Sequence, residues 1–231
     1  MAAPTPSPFD VEQFRSLPNR YAVVRTLDRP TIVLGSAQRA DAVVGPRAAQ
    51  SGVDVVHRRG GGGAVLVRPG DHLWIEVWIP QADPLWEADV TSAASWVGAW
   101  WSDALRTLGT GEYAVHRGPA APGAHGALVC FSGRGPGEVF SSGRKVMGIS
   151  QWRSREGALF HTCAYTRWDP APLIDLLAVD PTTSAALVED LRHAAVGLED
   201  LDDGPLEVTA LRDTLLSSLP VWGRDGPIQQ A

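Results

Sequence analysis

Apolar residues in this chain follow a strand-like spacing first and a helical one later. Tyr21 to Thr26 and Thr31 to Leu34 are short β-type runs separated by the turn signal Asp28-Arg29-Pro30. Val53 to His57 predicts another strand, which runs straight into Arg58, Arg59 and the glycines Gly60 to Gly63; Ala64 to Val67 then resumes β character. Leu73 to Ile79 alternates, with Leu73, Ile75, Val77 and Ile79 on one face and Trp74, Glu76 and Trp78 on the other. Past Pro80 the period changes. Trp86, Val90, Ala93, Val97, Trp100 or Trp101, and Leu105 recur at helical spacing, which predicts a helix of about six turns ending near Gly109.

Glu112 to His116 and Ala127 to Phe131 read as strands on either side of a Pro/Gly/Ala loop, Gly118 to Gly126. Glu138 to Phe140, a Ser-Ser-Gly turn, Lys145 to Trp152, and Ala158 to Arg167 continue the β pattern. From Asp169 onward the pattern is helical, over Leu173 to Leu177, Ala185 to Ala195 and Leu206 to Leu219, with Pro170, Pro181 and Pro205 where helix starts tolerate proline. Ala2 to Pro8 reads as disordered, and residues 1–20 as a loosely ordered leader to one domain over 21–231. Strands first, one long helix among them, then helices: this order predicts an α+β fold, a mixed or antiparallel sheet with helices covering one side. It is not the βαβ alternation of a dinucleotide-binding fold, and the glycine run lacks both phosphate-loop spacings.

Composition narrows the function. The chain has 231 residues, 44% of them hydrophobic and nine of them tryptophan, enough for one sizeable core. A net charge of −6 with no concentration of Lys and Arg excludes a nucleic-acid footprint. No apolar run approaches the roughly 18 residues of a membrane span, and Met1 to Asp10 lacks the regions of an export signal. Cys130 and Cys163 are the only cysteines. They make no disulfide framework and no zinc spacing, so no metal site and a cytoplasmic location are expected.

Three segments carry candidate chemistry. In Arg58-Arg59-Gly60-Gly61-Gly62-Gly63-Ala64, glycines between strands let the backbone approach a ligand, and the arginines offer charge to a carboxylate or phosphate. The same run also suits a surface turn. Lys145 follows a glycine turn; it is either a solvated hairpin charge or a cation aimed at a developing oxyanion. Cys130, inside the apolar run Leu128-Val129-Cys130-Phe131, is either a small core residue or a nucleophile.

Taken in order, these segments resemble the superfamily of lipoate–protein ligases, octanoyl transferases and biotin protein ligases. The glycine segment is similar to its RRxxGGGxV signature. Gly143-Arg144-Lys145-Val146-Met147-Gly148-Ile149-Ser150-Gln151 resembles its lysine motif, which puts Lys145 on the essential lysine and Gly148, Ile149 and Ser150 beside the substrate. Leu159-Phe160-His161-Thr162 looks like the strand that follows, adding His161. The run from Val129 to Gln151 is also similar to the cysteine-bearing segment of octanoyl transferases, where Cys130 falls on the acyl-carrying nucleophile.

The resemblance implies a biotin-synthetase-like mixed sheet flanked by helices, related to the class II aminoacyl-tRNA synthetases, with an acyl tunnel between glycine loop and lysine strand. This sequence departs from the family in three places. Val67-Arg68-Pro69 and Gly70-Asp71 stand where a His-Asp pair usually follows the glycines; Gly137-Glu138 stands where ligases carry Asn-Asp; no N-terminal helix with Asn and Asp is recognisable before Tyr21. Fewer acidic groups point away from ATP and magnesium. The expected activity is therefore transfer of an octanoyl or lipoyl group from a carrier protein through a Cys130 thioester, without cofactor, to a lysine of a lipoyl carrier domain. The alternatives are an ATP- and Mg-dependent ligase acting on free lipoate or octanoate, and a non-catalytic acyl binder. No membrane or nucleic-acid partner is expected.

Overall fold

The stretch with the cleanest alternation lies inside the larger sheet. In the computed structural model, which describes residues 9–109 and 111–219, β5 (His72–Pro80) pairs antiparallel with β1 (Tyr21–Arg25) on one side and β9 (Gly157–Tyr165) on the other. Beyond β9 follow β8 (Arg144–Arg153), β7 (Val139–Ser141) and β6 (Tyr113–Val115), giving six strands in the order β1-β5-β9-β8-β7-β6. Leu73, Ile75, Val77 and Ile79 pack beneath α4 (Ser95–Leu108) and α7 (Val208–Ser218), against Val97, Trp101, Leu105, Leu211 and Leu215. Burying such apolar rows is the main drive for the fold.

The opposite face of β5 is buried too. Trp74 packs with Val33, Val65 and Val67 of a second sheet, β3 (Asp54–His57), β2 (Thr31–Leu34) and β4 (Val65–Val67), in the order β3-β2-β4. β2 runs parallel to β3 and antiparallel to β4. Because β-strand side chains alternate, Leu66 and Ile32 point the other way and are covered by Ala48 of α2 (Gly45–Gln50), by α5 (Ala171–Leu176) and by α6 (Pro181–Arg192). Helices therefore cover both outer faces, where one face was expected.

Three other expectations change. The long helix starts later: α3 (Val90–Ala93), capped by the Asp89 carboxylate accepting from Ser92 N–H, precedes α4. Trp86 lies outside it under the guanidinium of Arg153, 4.2 Å from ring centroid to Cζ, and Asp83 upstream is tied to Arg20. Ala127 to Phe131 forms no strand. It makes a single parallel bridge, Ala64 to Val129, and closes into a 3-10 turn, Cys130–Ser132. The leader is packed from Phe9 onward, while Ala2 to Pro8 lies outside the described residues. The short helix α1 (Glu12–Arg15) brings Phe14 and Val11 against Val23, Trp78 and Leu159. What decides this is the apolar trio Phe9, Val11 and Phe14, each at most 3% exposed.

Phe14 is fully buried, with the Arg25 guanidinium 5.6 Å above its ring. Phe14→Ala should lower the unfolding free energy by about 3 kcal/mol, read from urea denaturation. A near-zero change would mean that residues 9–19 are only loosely attached.

Candidate active site

Lys145 owes its position to a tight hairpin. Ser142 and Gly143, at φ 49° and 80°, form a two-residue turn between β7 and β8 of the kind whose left-handed residues match strand twist. The turn sets Ser141 opposite Arg144 and Phe140 opposite Lys145. The segment after α6 then holds the lysine backbone from its other side: Lys145 N–H donates to Ala194 O and Val196 N–H to Lys145 O, both at 2.9 Å. Just before β7, Gly137 sits at φ 78°, and a Cβ there would come within 2.2 Å of Ala94 O. Only glycine allows that approach to the start of α4.

The two segments meet in a buried ion pair. Lys145 Nζ lies 2.7 Å from Glu138 Oε2 and 2.8 Å from Oε1, and donates to Cys130 O at 2.8 Å. Lys145 is 1% exposed and Glu138 2%, so the solvated hairpin charge is excluded. Glu138 also accepts from Gly135 N–H at 2.6 Å and Ile149 N–H at 3.4 Å. Burial pushes its carboxyl above the usual range, against the pull of Lys145 and of the two N–H groups.

The glycine loop is shaped from inside by Arg58. This arginine is 2% exposed and donates to Val33 O (3.1 Å), Gly61 O (2.7 Å), Gly63 O (2.9 Å) and Ser150 Oγ (3.1 Å). Its donors are therefore engaged by three backbone carbonyls and a hydroxyl, while the side chain also lines an inner cavity beneath the loop. Arg59 is exposed. Gly60 and Gly63 are wedged, since a Cβ would meet Ser150 Oγ at 2.1 Å and Val129 N at 2.6 Å, and Ala64 is buried beside Val129. Gly62, at φ 95°, has Arg58 and the Cys130 sulfur against it, whereas a Cβ on Gly61 would meet nothing within 4 Å.

Cys130 enters the site through a turn. Phe131 anchors it, stacked 5.3 Å from Trp168 and edge-on to Tyr165 at 4.9 Å. Gly148 of β8 leaves room for that ring; a Cβ there would crowd it at 3.3 Å. The Cys130 sulfur stands 3.9 Å from Arg58 Nη2. It lines both an open pocket of about 280 Å³, with Gly61, Gly62, Glu138, Lys145, Ile149 and Ser150, and an inner cavity of about 20 Å³, with Trp74, Gly148, His161 and Cys163. The structure thus gathers Arg58, Cys130, Lys145, Gly61, Gly62, Gly148, Ile149, Ser150 and His161, and leaves Arg59, Gly60, Gly63 and Ala64 off both linings.

In place of an open tunnel there is a cavity with room for about one water. His161 closes it, its Nδ1 2.8 Å from Glu76 Oε1, with Arg25 Nε 2.6 Å from Glu76 Oε2; His161 Nε2 is buried without a partner. Since Nδ1 faces a carboxylate, Nδ1 carries the proton in the neutral ring and Nε2 is left an acceptor. Burial pushes the Cys163 thiol well up, which disfavours its thiolate.

Glu138 is the residue that sequence reasoning missed. It stands in the acidic place ahead of the lysine motif, and the two-residue turn at 142–143 could have predicted that the hairpin folds it back onto Lys145. A wider hollow of about 650 Å³ lies on the other side of the small sheet, between α2 and α5, and shares no lining residue with this site.

Known structures share this architecture. A bipartite archaeal lipoate protein ligase from Thermoplasma acidophilum, described with its E2 lipoyl domain, superposes with a TM-score of 0.70 at 19% identity, over 91% of this chain and 74% of that one. A lipoate-protein ligase A bound with ATP gives 0.69 at 19% identity, over 91% and 76%. A further T. acidophilum structure, of a putative lipoate protein ligase with bound lipoic acid, gives 0.68 at 15%, over 91% and 76%. Such identities establish the fold alone. No curated protein matches the sequence. Residues 11–220 match the family of the lipoyl protein ligase A/B catalytic domain, and the chain belongs to that family.

Proposed function

We propose that this protein activates a lipoyl-type acid with ATP and passes the acyl group to a lysine of a lipoyl carrier domain. The observation that carries the reading is the buried Lys145–Glu138 pair lining the open pocket, which shares Cys130, Ile149 and Ser150 with the inner cavity. A buried ammonium with preset partners meets charge developing on an acyl carbonyl or phosphate oxygen without reorganising water. The acyl chain runs inward past Cys130 and Ile149 toward Trp74 and His161, and burying the six methylenes of an octanoyl group contributes about 5 kcal/mol at ~0.8 per CH₂. Because the inner cavity holds about one water, Ile149 or Phe131 moves aside on binding. The ATP-bound and lipoate-bound relatives of the same fold support this route over thioester transfer, and the relative described with a lipoyl domain supports the acceptor.

The donor set does not fit a protein-held magnesium. Among the described residues no three His, Cys, Asp or Glu come together, and the one carboxylate lining the pocket, Glu138, is engaged by Lys145 and Gly135. No step is routed through a metal. ATP phosphates face instead the exposed glycines Gly61 and Gly62, whose N–H groups make no hydrogen bond among the described residues, and the pocket-lining Arg134.

One observation favours a second reading. The Cys130 sulfur lines both cavities beside the Arg58 guanidinium, which suits an acyl-thioester intermediate formed from an octanoylated carrier protein. Exchange of labelled pyrophosphate into ATP with lipoate present, and lipoyl-domain modification by Cys130→Ser, separate the two. The ligase reading expects exchange and a Cys130→Ser variant that still modifies the domain. No exchange, with activity abolished in Cys130→Ser and a hydroxylamine-labile acyl adduct on the wild type, establishes the transferase.

Lys145→Ala should lose at least ~100-fold in domain modification, the scale of one lost oxyanion-type contact. It should also lose stability, because Glu138 is left buried without its cation; turnover is therefore compared on protein shown to be folded. Near-normal turnover would contradict the assignment.

Gly61→Val projects into the pocket with nothing in its way, so it should keep the wild-type Tm while abolishing binding of lipoate in calorimetric titration. Gly62→Val, at positive φ and against Arg58, should lose both. Unchanged affinity in Gly61→Val would return the loop to a surface turn.

A further inference from the structure

A lysine ammonium must lose a proton before it can attack an acyl group, and the roles assigned so far leave that proton without an acceptor. The ionisable side chains lining the pocket are Cys130, Arg134, Glu138 and Lys145. An arginine does not give up its proton in a protein, Lys145 is held as a donor by three oxygens, and Cys130 is dispensable in the proposed ligase route. We infer that Glu138 is the general base that deprotonates the attacking lysine of the carrier domain. The inference rests on the reading that Lys145 holds the acyl donor.

The geometry gives the base a trigger. In this structure both Glu138 oxygens face Lys145 Nζ, at 2.7 and 2.8 Å, so one buried cation balances one buried carboxylate. An acyl carbonyl or phosphate that draws Nζ toward itself takes part of that balance away, while Gly135 and Ile149 N–H continue to hold the carboxylate in place. A buried carboxylate that loses its counter-charge binds protons more tightly. Glu138 thus becomes a stronger base when the donor is seated. Burial has already moved its carboxyl upward, toward the range where a base works near neutral pH.

The step balances. The Glu138 carboxylate takes one proton from the lysine ammonium, and the freed lone pair forms the C–N bond at the acyl carbon. The bond from that carbon to the phosphate oxygen breaks, its electron pair leaving with the phosphate. The second N–H proton departs with the phosphate or to water as the amide forms.

Glu138→Gln keeps the size and an oxygen for Lys145 but cannot accept a proton. The experiment compares acyl transfer to a lipoyl-domain lysine with transfer to hydroxylamine, a nucleophile already neutral near pH 7. Transfer to the lysine should fall at least ~100-fold, within the range of general-base catalysis, and transfer to hydroxylamine should stay within ~10-fold of wild type. Glu138→Asp, which keeps a carboxylate on a shorter arm, should recover part of the lysine rate and serves if the glutamine variant does not fold. An equal fall with both nucleophiles would make Glu138 a positioning residue for Lys145 and overturn the inference, as would no fall with either. The ratio is measured with ATP and lipoate and again with octanoyl carrier protein, so a wild type silent with ATP sinks the ligase reading while the second donor still tests Glu138.

Discussion

Two opposite charges removed from water hold this site together. Taking Lys145 and Glu138 out of solvent costs several kcal/mol for each ion, and their attraction offsets this only with good geometry and further hydrogen bonds. The Cys130 carbonyl and the Gly135 and Ile149 N–H groups supply those bonds. Much of the surrounding backbone serves to deliver them: the left-handed turn at Ser142-Gly143, the contact of Gly137 with the end of α3, and the clamp on Lys145 from Ala194 and Val196. In proteins generally, apolar pairs of similar volume are often at least as stable as buried ion pairs. Retaining charge makes sense where the charge has work to do on a substrate.

The glycine loop obeys the same constraint from the other side. Arg58 is buried because four oxygens receive its donors, and that network fixes the carbonyls of Gly61 and Gly63 inward. With the carbonyls tied down, the loop keeps its shape before ligand arrives, and preset dipoles of this kind favour a charged transition state. Gly61 and Gly62 stay exposed above the pocket while Gly60 and Gly63 are wedged against β8 and Val129, so adjacent glycines play different parts.

Much of this was legible in the sequence, for identifiable reasons. Strand positions such as Thr31 to Leu34 and Leu73 to Ile79 followed from β-type runs and alternation, and the lysine and glycine segments met in one pocket as their resemblance implied. What failed depended on contacts distant in the chain. Trp86 fits the helical period but is held outside the helix by Arg153 of β8. Cys130 fits a strand but turns because Phe131 docks between Tyr165 and Trp168. The leader looked free because its three apolar residues find their partners on β1, β5 and β9. Glu138 counted as a departure from an Asn-Asp pair, yet it keeps an acid where the lysine needs one.

We propose that an acyl-phosphate donor binds across the Lys145–Glu138 pair with its chain directed inward. A crystal structure with a non-hydrolysable acyl-adenylate tests it most directly. Lys145 Nζ should lie within hydrogen-bond reach of the acyl-phosphate linkage, and the acyl chain should run past Cys130 and Ile149 toward Trp74 and His161. A ligand seated in the wider hollow between α2 and α5, with the Lys145–Glu138 pair untouched, would contradict it.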